Sequence, residues 1–579
     1  MTAPRIDVVQ GTAASALLLR PEFRASWDSL VSACPWATPF QSSPYAAAWY
    51  EAYADRYDPV LVRQGAADAI TGLLILARDK RSGAIVHAGA HQAEYQVWLA
   101  PPGQGATFAL GAFDAIGATF RGATLRFRYL PDSALGQELI SDTRWAQRIR
   151  LQPKPRPLIR ISYESIMRSF GRVTKRIPKL ERQGTLRFRR VTQPEEIREV
   201  MKDLVLHYDL RQGAVYGTLP FHEDPGKLPF HEALAVGNPR LVHLTSLHSG
   251  SQFVAAQFGF AARGVVHQSI LGFSPMFANY SPGILHLYLL ARAMDAESAR
   301  VLDLTPGGDP YKDQIASHHD EVAEMLVTPS ASRRSWVVRS EQSLEAAKRV
   351  LAPIGVTPQR VRAVLPLLRR ATPARLLLHA ARFVREDREL RVYRIRLPIP
   401  DAPAQPAPDI HRNCLDDLLH AEVTDAWHSR KDVLAAALAR LERGESVFTI
   451  RDGERLAHFG WLIETQKESE MDNVDASITL PDGTAVLYDF YTHPAFRGRG
   501  YYGANIRHML RSLATNPKVR FAHISVMADN RASRVVIERS GFEYVGSYHW
   551  RQRLGRVTKW VNDPTGRLRN GEMTPSASG

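Results

Sequence analysis

Apolar residues in this chain fall into short blocks, and their period switches repeatedly between two and about 3.6 residues, the pattern of strands interleaved with helices. The opening segment has a helical stretch at Phe23–Ala33, and Ser42 or Ser43 is placed to cap a second helix over Tyr45–Tyr57. Strand-like runs follow at Val60–Arg63 and Ala69–Arg78, with a short apolar stretch at Gln96–Leu99. A helix over Thr107–Ala118 and a strand over Thr124–Tyr129 complete a mixed α/β pattern.

The pattern repeats further along. A basic helix ends at Leu180-Glu-Arg-Gln-Gly184, with Gly184 expected as its C-cap. Strands are predicted at Thr185–Val191, Leu241–Leu247, Phe253–Ala261, Val265–Leu271 and Val301–Leu304, and helices at Pro194–Arg211, Phe230–Ala235 and Ile284–Ala296. Residues 331–400 read as helical, basic and Ala/Leu-rich, and Pro398–Pro408 as a Pro/Ala linker. The hairpin Val447–Arg451/Leu456–Ile463, the strand Val486–Thr492, the helix Ala504–Ala514 and the strand Ala522–Met527 form a third block. The expected boundaries are 1–162, 163–330, a connector over 331–408, 409–562, and a polar disordered tail over 563–579.

Composition narrows the class. At 579 residues, 45% hydrophobic and 23% charged, the chain is too long for one core and resembles a soluble globular protein. No run approaches the roughly 18 apolar residues of a membrane span, since Ile284–Ala293 is broken by His286 and Arg292. The amino terminus lacks the apolar core of a secretory signal, so the expected location is the cytoplasm. The two cysteines, Cys34 and Cys414, show neither metal-ligand spacing nor a disulfide framework, and no metal is expected. The net charge is +15, and Arg144–Arg190 carries 15 Lys/Arg against Glu164 and Glu181. Such charge is either a set of solvated helix faces or an attraction for a phosphorylated ligand or acidic polymer. No zinc-finger or RNP-like motif accompanies it, which disfavours nucleic acid.

The sharpest chemical signal is Arg497-Gly498-Arg499-Gly500-Tyr501-Tyr502-Gly503, between a predicted strand and helix. Glycines let a backbone approach a ligand closely, and free amides at a helix start favour a phosphate. The run Leu487–Gly500, the strand leading into Asp529-Asn530, and Ser540-Gly541-Phe542 resemble the GNAT acetyltransferase superfamily over about 150 residues. That resemblance implies acetyl-CoA or another acyl-CoA as co-substrate. The amides of Arg497, Gly498, Arg499, Gly500, Tyr501 and Tyr502 would hold its pyrophosphate, while Tyr491, Thr492, His493 and Asn530 would contact the pantetheine arm. Two departures stand out: Tyr502 occupies a position where the family has a small residue, and Ile537 the position of its frequent acid tyrosine. Tyr544 or Tyr548 is then the candidate acid, and Asp489 or Glu464 the candidate base; His493 also has a structural reading beside Pro494.

Residues 25–330 resemble the CelD-like, FemABX-related acetyltransferases, through Phe40-Gln-Ser-Ser-Pro-Tyr45 with Trp49, the basic helix, Ala255–Phe260, Tyr280-Ser-Pro-Gly283 and Asp303–Lys312. The resemblance implies an α/β (α+β) protein of three GNAT-like folds, each a mixed, mostly antiparallel sheet flanked by helices. Lys312, Tyr311 and Asp303 become candidate substrate contacts; Lys312 also reads as an ordinary exposed lysine, and Asp303 as a local cap. The leading expectation is an acyl-CoA-dependent N-acyltransferase acting on an amine, free or carrier-linked, of an amino sugar or cell-envelope or exopolysaccharide precursor. The alternatives are FemABX-like aminoacyl transfer from tRNA, and a non-catalytic acyl-CoA-binding scaffold.

Overall fold

In the computed structural model the described residues are 5–134, 139, 141–297, 299–351, 385–399, 408–422, 429–554 and 556–564. They divide into two compact units. One comprises the residues up to Tyr208 and from Pro220 to 351, and the other Asp209–Leu219 and the residues from 385 onward. The sheets are mixed and mostly antiparallel, flanked by helices, as the fold class anticipates.

The first unit holds two sheets. A four-stranded antiparallel sheet runs in the order β1 (Ile6–Gln10), β2 (Tyr57–Ala66), β3 (Ala69–Asp79), β4 (Ile85–His87). An eight-stranded sheet follows, built from β5 (Leu125–Pro131), β6 (Ile149–Arg160), β7 (Leu186–Arg190), β8 (Val242–Ser249), β9 (Gln252–Ala262), β10 (Val265–Phe273), β11 (Val301–Asp303) and β12 (His318–Val327). Its order is β5-β12-β6-β11-β10-β9-β8-β7. An aromatic-rich core joins the two sheets: the Phe40 ring lies 5.3 Å from Tyr45 and 5.0 Å from Phe260, with Tyr95 at 5.9 Å. A second core gathers on the side of the eight-stranded sheet covered by the helix Pro282–Ala296.

Strand β6 escapes a sequence reading because Pro153, Pro155 and Pro157 occupy alternate positions. Pro157 accepts a hydrogen bond from the Leu304 amide (3.1 Å), on the side away from β12. By the two-residue period, Pro153 and Pro155 turn the same way, so no proline interrupts the β6–β12 ladder. Two helical expectations also change. The basic segment is not one helix but Tyr163–Phe170, a 3-10 turn Val173–Arg176 and Ile177–Glu181. Gly184 is no left-handed cap; a Cβ there would lie 2.8 Å from the Gly250 amide nitrogen, so close backbone approach explains the glycine.

The second unit's eight-stranded sheet is assembled from β13 (Arg385–Arg396), β14 (His411–Arg412), β15 (Ser446–Asp452), β16 (Arg455–Ile463), β19 (Thr484–Thr492), β20 (Phe521–Met527), β21 (Glu543–Arg553) and β22 (Arg556–Asn562). The order is β14-β15-β16-β19-β20-β13-β21-β22, and β17 (Glu468–Met471) with β18 (Ala476–Thr479) makes a separate hairpin. Helix was expected through residue 400, yet Arg385–Arg396 forms a strand between β20 and β21. Leu390, Val392 and Tyr393 bury there, and this burial outweighs the helical preference of the Arg/Glu/Leu composition. The helix Ala331–Leu351 is present; the remainder of the connector to 384, the linker at 400–407 and the tail from 565 lie outside the described residues. Among the described residues no helix is long and apolar enough to cross a membrane.

Among the buried histidines of the first unit, burial pulls three pKa values below the ordinary 6.5, to about 4 for His87 and about 3 for His231 and His286. Above pH 6.5 both folded and unfolded forms are neutral, so these groups leave stability unchanged there. Below it the unfolded chain takes up protons first, costing about 1.4 kcal/mol per pH unit for each group down to its folded pKa. Urea unfolding of the full chain should therefore show a clear loss of stability at pH 5.5 relative to pH 7.5. Equal midpoints would refute the buried neutral state.

Candidate functional site

The glycine turn of the second unit follows from how β19 meets its neighbours. On one side β19 pairs antiparallel with β16, with an irregularity between Phe459 and Trp461. Gly460 lies at that bulge, where a Cβ would come within 2.3 Å of the Phe490 ring, and Asp489 adopts a left-handed φ of 47°. On the other side β19 runs parallel to β20 only over Thr484–Leu487 against Phe521–Ile524. Beyond those residues β19 continues to Thr492, while β20 continues to Met527 paired with β13 alone. The two parallel strands part, and a gap opens between them.

The chain leaves the far end of β19 through a 3-10 turn, Pro494–Phe496, and enters the helix Tyr501–Ala514. Gly498 and Gly500 have φ of 82° and 78°, and a Cβ built on either meets nothing within 4 Å. Gly500 is the helix N-cap and no side chain caps the helix. Among the described residues, the amides of Gly498, Arg499, Gly500, Tyr501, Tyr502 and Gly503 pair with no protein acceptor. The turn is held from below: Asp452 accepts from Arg499 Nη1 at 2.7 Å and from the Tyr501 hydroxyl at 2.9 Å. Arg497 is exposed and has no acidic partner among the described residues.

The departure at Tyr502 has a packing reason. Its ring lies against Phe490 (4.8 Å) and near His458 (6.1 Å), so the bulk turns into the core and leaves the turn clear. His458 is fully buried, bonds the Thr492 hydroxyl through Nδ1 at 2.8 Å, and is held neutral by burial with a pKa of about 3. The Tyr491 ring lies tilted against Phe459 at 5.5 Å, and His493 accepts from the Ala495 amide at 3.2 Å and faces Glu422 at 3.3 Å. Across the gap, at the end of β20, Asn530 caps the helix Arg531–Arg539 by accepting from the Ser533 amide at 3.1 Å.

The acid–base candidates are scattered. Asp489 sits in the bulge and pairs with Arg440, whose guanidinium lies 5.0 Å from both the Trp461 and Tyr488 rings. Glu464 is at the opposite end of β19, next to the Ile463–Val486 pair, where it accepts from Arg412 (2.6 Å) and Asn516 (3.3 Å). The structure does not bring it to Asp489. Tyr548 lies on β21, three strands from β19, in a core cluster with Leu390 and Val486, and burial pushes its pKa up to about 12. Tyr544 bonds Ser547 at 3.1 Å, and Ile537 is a fully buried core residue.

The first unit repeats the same local architecture. Strand β10 pairs with β9 across a bulge at Gln268/Ile270 and runs parallel to β11 only over Val265–His267. A 3-10 turn, Pro275–Tyr280, then leads through Ser281, with φ of 49°, into the helix Pro282–Ala296. This turn lacks arginines in its own sequence, but Arg176 supplies one from 105 residues away by bonding the Ser281 hydroxyl. Asp303 is no open contact: it is 0% exposed and accepts from Tyr95 Oη (2.6 Å) and the Thr305 amide (2.8 Å), with His267 at 3.0 Å and Arg156 at 3.6 Å. Burial works against its charge, yet the His267, Arg156 and Tyr95 donors prevail and lower its pKa. Lys312 is likewise not an exposed lysine; it is 8% exposed and folds back onto Thr305 O (3.2 Å) and Asp309 (3.3 Å). Tyr311 is half-buried beside it. Much of the basic segment's charge is met by acids distant in sequence, as in Arg156–Asp320 (2.5 Å) and Arg190–Glu297 (3.1 Å).

Residues 168–313, which carry this first-unit arrangement, match the family model described as an acetyltransferase (GNAT) domain. These residues belong to the GNAT acetyltransferase superfamily. No curated protein matches the chain by sequence. Among solved structures, the chain is similar to FemX, at 10% identity over 54% of this chain and 98% of that one, with a TM-score of 0.38. It is also similar to a tandem GNAT protein from the clavulanic acid biosynthesis pathway, at 14% identity over 64% and 99%, with a TM-score of 0.21. A third is a GCN5-related N-acetyltransferase from Sphaerobacter thermophilus, at 10% identity over 64% and 96%, with a TM-score of 0.21. The GNAT domain defined by the family match ends just after Lys312, so the glycine turn at 497–503 lies outside it.

Sequence reasoning missed Arg176, Asp452, Arg440, Tyr95, Arg156 and His267, because each acts through a partner far away in sequence. The tight fit at Gly460 makes a direct test of the bulge. Gly460→Val should destabilise the second unit by about 1–3 kcal/mol through overpacking against Phe490. An unchanged urea midpoint would mean that the ring does not overlie the glycine.

Proposed function

We propose that the chain is an acyl-CoA-dependent N-acyltransferase whose donor site is the gap between β19 and β20. The observation that carries this reading is the left-handed pair Gly498 and Gly500 followed by amides without protein acceptors, at the mouth of two parting parallel strands. Six donors on a glycine turn suit a diphosphate, and a helix N-terminus adds favourable potential for its charge. Exposed Arg497 adds a positive charge, while Asp452 fixes Arg499 and the turn's shape. The His493 amide donates to Ala457 and its carbonyl accepts from Phe496, so of this strand end it is Thr492 whose main chain turns away from β16 toward the amide-rich pantetheine arm, and Asn530 stands on the opposite wall.

The reaction is attack of a neutral amine nitrogen on the thioester carbonyl. A C–N bond forms, the C–S bond breaks, the sulfur leaves as thiolate, and the proton lost from nitrogen balances it. Positioning supplies most of the rate, since holding both reactants converts a bimolecular step into a local one. Asp489 is the proton acceptor we assign, since the bulge brings its carboxylate to the gap end of β19, with Arg440 fixing its orientation. Tyr548, protonated at neutral pH, is the proposed donor to the leaving sulfur. Glu464 lies at the wrong end of the strand for either task. The acceptor is proposed to be an amine of an amino sugar or cell-envelope or exopolysaccharide precursor; in the first unit Asp303 positions the loop that carries Tyr311 and Lys312, which are proposed to contact a substrate of that unit's own site.

Gly500→Val should reduce CoA binding by calorimetry at least tenfold, because a branched Cβ is strained at positive φ and crowds the amides. Arg176→Ala should leave that binding intact. The reverse outcome, loss with Arg176→Ala and retention with Gly500→Val, would move the donor site to the first unit.

A further inference from the structure

The segment His411-Arg-Asn-Cys-Leu-Asp-Asp417 gathers three different ligand types at one point. A ring nitrogen of His411, Cys414 Sγ and an Asp417 carboxylate oxygen all lie within 4.8 Å of one another. Local geometry causes the convergence. Asn413 takes a left-handed φ of 54° and is pinned to β15 by two hydrogen bonds to Val447, at 2.8 and 3.0 Å. That turn folds His411, on the two-residue strand β14, back over Cys414, which is the N-cap of the helix Leu415–Leu419. Asp417, in the first turn of that helix, points inward with its side chain only 2% exposed.

The surroundings fit a metal site. His411 Nε2 lies 3.0 Å from the Asp409 carboxylate, and Nδ1 is turned toward Asp417 at 2.8 Å. A carboxylate on the far nitrogen is the usual device that orients a metal-binding imidazole. The Thr449 hydroxyl donates to Asp417 at 2.6 Å and fixes that carboxylate in turn.

We propose that His411, Cys414 and Asp417 bind one zinc ion, with water as the fourth ligand. Nitrogen, thiolate and carboxylate suit zinc, whose ligand atoms in a tetrahedral site stand roughly 3.3–3.7 Å apart. The present cluster reaches those separations with side-chain shifts on the order of 1 Å. Thiolate and carboxylate together balance the double charge, and binding releases the thiol proton to solvent. The ion ties the start of the third sheet to β15, a structural task independent of acyl transfer. Cysteine spacing gives no hint of the site, because only one ligand is a cysteine.

Cobalt(II) titration of the metal-stripped full chain tests this directly. One equivalent should produce the near-ultraviolet absorption of a cobalt–thiolate bond, and zinc should displace it stoichiometrically. Cys414→Ser should abolish the band, and Asp417→Asn should weaken zinc binding at least tenfold. A wild-type protein with no band overturns the proposal, as does a band that survives Cys414→Ser and therefore arises from Cys34, the only other thiol.

Discussion

Two parallel strands remain side by side only while their backbones keep the same pleat. An irregularity in one of them, fixed by its other neighbour, forces them apart. In this protein the bulge at Gly460 and Asp489 provides that irregularity, and β13 draws β20 away on the opposite side. Each feature of the proposed donor site depends on this parting: the exposed end of β19, the turn beyond it and the uncapped helix start. The same geometry recurs between β10 and β11, with a bulge at the equivalent place. The two units therefore share a backbone solution while differing in the chemistry set upon it.

That difference lies in what fills each turn. The second unit uses two left-handed glycines with open space around them. The first uses Ser281, to which Arg176 is bonded, and its neighbouring carboxylate is enclosed by four groups. A fully enclosed Asp303 organises a loop; an open glycine turn receives a ligand. A division of labour between units is consistent with this contrast.

The glycine turn was legible in the sequence because its determinants are contiguous and its flanking strand and helix have clear periods. Arg176 and Ser281, or Tyr95 and Asp303 at 208 residues apart, leave no local trace. Strand β13 was obscured by Arg, Glu and Leu, which favour helix until a neighbouring strand buries alternate positions. The His411 cluster escaped because its spacing only makes sense once Asn413 reverses the chain.

The prolines of β6 have a consequence for how this sheet ends. Among the described residues, from Arg150 to Arg156 the strand pairs with another strand on one flank only, and the residues facing the other flank include Pro153 and Pro155. An extended segment from another molecule that slid into this space would find two successive positions without a donor. The sheet is thus closed to strand invasion along an edge that would otherwise be adhesive, and the same residues that obscure the strand from a sequence reading keep it from recruiting unwanted neighbours.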